Sequence, residues 1–92
     1  MKPFDWDPEK NQLLAEERKI SFEEVIFHLQ SDGLLDDVMH PNQANYPRQK
    51  MYVVAIEDYV YLVPYIESND DIFLKTIIPS RKATKQYLGE DK

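Results

Sequence analysis

Ninety-two residues with 42% hydrophobic and 12% aromatic content suit one small domain with a single core, 1–92, and exclude a cofactor cleft between two domains. There is no cysteine and the formal charge is −6, so neither disulfides nor thiolate-bound metals are available, and the net charge has the wrong sign for a general nucleic-acid binder. No apolar run is long enough for a signal peptide or a membrane span, which makes a cytoplasmic protein with no membrane partner the expectation.

In chain order, a short strand around Phe4 to Trp6 comes first. Asp7 followed by Pro8 opens a helix over about 8–19, because the Asp side chain accepts from free first-turn amides and proline has no amide to lose there. The apolar positions of that helix are few, so it lies on the surface with one narrow buried stripe. Ser21-Phe22-Glu23-Glu24 is a capping box, and Phe22, Val25, Ile26 and Leu29 recur at helical spacing over about 22–31. Gly33 is expected to end that helix.

Leu34 to Met39 reads as a poor strand near a sheet edge, since it contains Asp36 and Asp37. His40 to Arg48, with prolines 41 and 47 and asparagines 42 and 45, is loop chemistry. Three runs rich in Val, Ile, Tyr and Phe follow at 50–56, 59–66 and 72–78. The turns between them are short enough to make the neighbours antiparallel. Pro64 cannot donate to a ladder and predicts a bulge or bend. Ser80 caps a last helix and Gly89 ends it. The sum is an α+β domain with two N-terminal helices, a three- to four-stranded antiparallel sheet and a short C-terminal helix.

Charge is distributed unevenly. Residues 1–37 hold ten acids against four bases and 57–71 hold five acids without a base, whereas 38–56 and 72–89 hold two and four bases without an acid. A basic face on an acidic body is therefore expected. Glycine-rich phosphate loops and paired metal-binding histidines are absent from the sequence, and no metal or other cofactor is called for. Asp36 and Asp37, adjacent on a strand, point to opposite faces and do not form an acid–base pair.

What remains is a set of cations and phenols suited to RNA. Cleavage by transesterification needs the chain oriented and the charge growing on the phosphate oxygens stabilised. Arg48, Lys75 and Arg81 are the candidates to bind and polarise the phosphate, with His40 or Tyr87 to move a proton. Lys50, Lys82 and Lys85 are further RNA contacts, and Tyr46 and Tyr87 offer rings for unpaired bases. The other tyrosines on the strands belong to the core or the sheet faces.

Two blocks of the chain carry a resemblance. Phe4, Trp6, Asp7, Lys10 and Ser21 to Glu24, together with Ser80-Arg81-Lys82-Ala83-Thr84, resemble the BrnT-like toxins of bacterial type II toxin–antitoxin pairs. That resemblance implies a RelE-like fold and a ribonuclease that arrests translation. It also implies a cognate ribbon-helix-helix antitoxin that forms a hetero-oligomer with the toxin. The chain differs from that pattern in having Glu17-Arg18-Lys19 where the family usually shows Lys-His-Gly, and Leu14 where it tends to place Asn. The alternative reading is a catalytically inactive toxin-like module that binds a basic protein partner.

Overall fold

The computed structural model describes residues 2–89. The order is β1 (Phe4–Trp6), α1 (Pro8–Arg18), α2 (Phe22–Leu29), β2 (Leu34–Met39), β3 (Lys50–Ile56), β4 (Tyr59–Glu67), β5 (Ile72–Leu74), β6 (Ile78–Pro79) and α3 (Arg81–Leu88). It is an α+β fold, but the sheet is larger than expected and mixed. Its strands run β1-β5-β4-β3-β2, with β6 also on β4, and β1 lies parallel to β5. Among the described residues no helix is long and apolar enough to cross a membrane.

The helix ends follow their local chemistry. Asp7 accepts from the Glu9 amide at 3.0 Å, and Ser21 and Glu24 close both arms of the capping box. Asn11 joins the two helices. Its side chain donates to Glu23 and accepts from the Phe22 amide, each at 2.8 Å, and the Asn11 bond holds the Glu23 carboxyl below its ordinary pKa. Gly33 does not act as a left-handed stop. The cap of α2 is Gln30, and Gly33 is needed for close approach, because a Cβ there would meet the Ala55 carbonyl oxygen and the His28 Cβ, both at 2.9 Å.

Lys19 caps α1 with φ 58°, a left-handed conformation that costs a side chain about 1 kcal/mol and glycine almost nothing. Lys19→Gly is therefore expected to raise stability by about 0.5–1 kcal/mol, read as a higher urea midpoint with unchanged slope.

Pro64 produces no bulge between β3 and β4, whose register runs unbroken from Lys50↔Tyr65 to Ile56↔Tyr59. Its effect falls on the other neighbour. The Lys75 amide donates to the Pro64 carbonyl at 2.8 Å, and proline has no N–H to return. The third apolar run accordingly splits there, with β5 pairing to Tyr65–Glu67 and β6 to Tyr61 and Leu62. Turn residues Glu57 and Asp58 both take positive φ, 53° and 68°, the backbone that suits a two-residue hairpin.

Strand alternation divides the core between two faces. On one, Leu14, Ile20, Phe22 and Val25 pack on Tyr52, Val54, Val63, Tyr65 and Leu74. On the other, α3 lays Ala83 over Val53 and Val60, flanked by Val38, Leu62 and Tyr87. Leu14 is thus a core residue. Arg18 donates to the Ile77 carbonyl at 2.6 Å, tying the end of α1 to the segment between β5 and β6. The two aspartates of β2 do face apart, Asp37 accepting from Tyr65 on the first face and Asp36 from Tyr87 on the second.

Candidate nucleic-acid interface

The Ser80-Arg81-Lys82-Ala83-Thr84 block divides into two jobs. Ser80 accepts from the Ala83 amide at 3.0 Å and its own N–H donates to the Val60 carbonyl at 3.0 Å. Buried Thr84 donates its hydroxyl to the Ser80 carbonyl at 2.8 Å and accepts from the Val60 amide at 2.9 Å. With Ala83 packed on the sheet, these three residues lock α3 to β4. Arg81 and Lys82 remain exposed, and among the described residues neither forms a salt bridge.

Alongside α3 runs a groove of about 370 Å³. Val38, Val53 and Leu62 form its floor, and Lys82, Gln86 and Tyr87 line it from one helix face. Lys82 and Gln86 are one turn apart, as are Arg81 and Lys85 on the neighbouring row of the same helix. Pro41 closes the far rim. Next to it in the chain, His40 stacks on Tyr46 with ring centroids 4.4 Å apart. The Asn42 amide donates to His40 Nδ1 at 3.0 Å, which places the proton of the neutral ring on Nε2. The Gln43 side chain donates to the His40 and Gln49 carbonyls and closes this loop on itself.

Lys75 belongs to the same side of the sheet. Phe73 pairs with Ile66, which by alternation shares the face of Leu62, and the Lys75 ammonium lies 5.7 Å from the centre of the Phe73 ring. Arg48 is exposed in the loop with φ 69°.

The remaining candidate is elsewhere. Lys50 pairs with Asp37 at 3.6 Å, and its cross-strand partner is Tyr65, so it belongs to the opposite face and does not join the groove. Tyr87 is present but committed. Its hydroxyl donates to Asp36 at 2.9 Å, and this bond pushes the phenol above its ordinary pKa, so it offers a ring rather than a proton. Tyr52 and Tyr65 stack 4.0 Å apart inside the first face, where burial raises both phenols and the bond to Asp37 raises Tyr65 further.

Sequence reasoning missed Gln86, which lies one helical turn beyond Lys82, and Pro41 beside His40. Helical spacing could have found the first; nothing local marks the second. Among the described residues no three His, Asp or Glu side chains are grouped to hold a metal. No family model, curated protein or solved structure matches the chain.

Proposed function

We propose that the chain is a BrnT-like toxin with a RelE-like fold: a metal-independent endoribonuclease that acts on RNA along the α3 groove. The observation that carries this reading is the division of labour in the α3 block. Three of its residues spend their polar groups and surface on fixing the helix, and the two cations between them are left in solvent beside an apolar trough. An RNA strand laid there would find Arg81, Lys82 and Lys85 for its phosphates and the rings of Tyr46, His40 and Tyr87 for its bases. Arg81 and Lys75 would stabilise charge on the phosphate oxygens as the ribose hydroxyl attacks, and the His40 imidazole, which can both donate and accept, would move the proton. The left-handed backbone of Lys19, at the position where the family has glycine, also supports the resemblance. Neutralisation by a ribbon-helix-helix antitoxin, in a hetero-oligomer, belongs to the same proposal.

The test is induction in a bacterial host that lacks any antitoxin, with new RNA 5′ ends mapped. Arg81→Ala is expected to lower cleavage on the order of 100-fold and to relieve growth arrest, with folding retained because Arg81 is exposed. Cleavage unchanged by Arg81→Ala would sink the proposed site. A second reading, the inactive module binding a basic protein, is favoured by one observation: Tyr87 is tied to Asp36 and, among the described residues, neither an imidazole nor a carboxylate lines the groove itself. Soluble, harmless expression without new RNA ends would select it.

A further inference from the structure

The face of the sheet that carries α1 and α2 is not fully covered. Beside the C-terminal end of α2 lies a second groove of about 490 Å³, lined by Phe4, Leu29, Gln30, Leu34, Tyr52 and Ile72. Those residues come from β1, the end of α2 and its cap, β2, β3 and β5, and the Phe4 and Tyr52 rings meet across the groove with centroids 6.4 Å apart. The packing of α2 already shows that this face accepts a helix.

The rim decides what kind of helix fits. Asp37 is the cross-strand partner of Tyr52, and Glu67 is that of Ile72. Asp71 directly precedes Ile72, and Asp32 lies two positions from both Gln30 and Leu34. Against these four acids stand Lys2 and Lys50, already bound to Glu67 at 2.8 Å and to Asp37 at 3.6 Å. The border of this apolar groove is therefore net negative. Polyanions and anionic lipid surfaces are repelled by such a rim. So is a second copy of the chain, which carries −6 overall and would set the same acids against themselves.

We infer that this groove is a docking site for a basic amphipathic helix of a partner protein. Such a helix presents apolar side chains at i, i+3 or i+4, and i+7 to Phe4, Leu29, Leu34 and Ile72, with Lys or Arg on both flanks against the aspartates. The inference is independent of the ribonuclease reading, because this groove and the α3 groove lie on opposite faces and both can be filled at once.

The test is selection of about 14-residue helical peptides from a display library against the intact chain. The enriched sequences are expected to combine that apolar spacing with a positive charge. Leu34→Glu and Gln30→Lys should each weaken the selected peptides at least tenfold. Both positions are exposed, Leu34 at 43%, and circular dichroism checks that each variant folds. No enrichment, enrichment of acidic or merely apolar sequences, or binding indifferent to both variants would overturn the inference. A dimer of the chain that Leu34→Glu dissolves in sedimentation would also overturn it, by giving the groove to a second copy.

Discussion

Phe22→Ala is expected to destabilise the protein by about 3–5 kcal/mol, the cost of deleting a fully enclosed aromatic ring and leaving the space unfilled. The ring has no exposed surface, stacks on Trp6 with centroids 6.0 Å apart, and sits where α1, α2 and the sheet meet. Domains of this size hold about 5–15 kcal/mol in total, so this one change removes a large share. Urea unfolding should show a midpoint shifted far down with little change of slope. A loss under about 1 kcal/mol would mean that the ring does not occupy the core described above. Trp6 fluorescence provides the readout, since the indole is the ring's stacking partner.

Thr84→Val is expected to cost about 2–3 kcal/mol although the two side chains have nearly the same volume. The valine fills the site but cannot accept from the Val60 amide or donate to the Ser80 carbonyl, and Val60 is fully buried. Leaving a buried N–H without a partner costs about 1–3 kcal/mol by itself. The effect should be local as well as global: amide hydrogen exchange in α3 and at Val60 should rise more than in α2. In the proposed RNase, activity should fall with the loss of α3 from the sheet even though Arg81 and Lys82 are untouched. Thr84→Ser keeps the hydroxyl and should restore most of the stability. This pair of variants separates the scaffold half of the α3 block from its cationic half, a division invisible in the five letters alone.

The sequence made the helices and their caps legible because capping is local. Asp7 and Ser21 act on amides two or three positions away, and Phe22 and Val25 repeat at the helical period. The strands 50–56 and 59–66 were legible from their β-branched and aromatic runs. The β1–β5 pairing was not, since nothing near Phe4 names Ile72 as its neighbour. The break in the third run was misplaced for a related reason: Pro64 acts through the N–H it lacks, and the damage appears on the strand across from it. In the candidate site, alternation sorted Asp36 from Asp37 in advance. Lys50 was counted among the RNA contacts without a face, and its place opposite the α3 groove is read from its pairing with Tyr65; Tyr87 gave no hint of Asp36, about 50 positions earlier.

The parallel pairing of Phe4–Trp6 with Ile72–Leu74 has a consequence for biosynthesis. These strands are separated by about 70 residues, and at ~5–20 residues per second the partner of β1 leaves the ribosome roughly 3 to 14 s after β1 itself. Through that interval a phenylalanine and a tryptophan wait in the nascent chain with no strand to join. Asp5 and Asp7 alternate with them, and a carboxylate between and after the two rings keeps the segment from pairing with a neighbouring nascent chain. The same acids that shape the folded N-terminus thus act first as gatekeepers during translation.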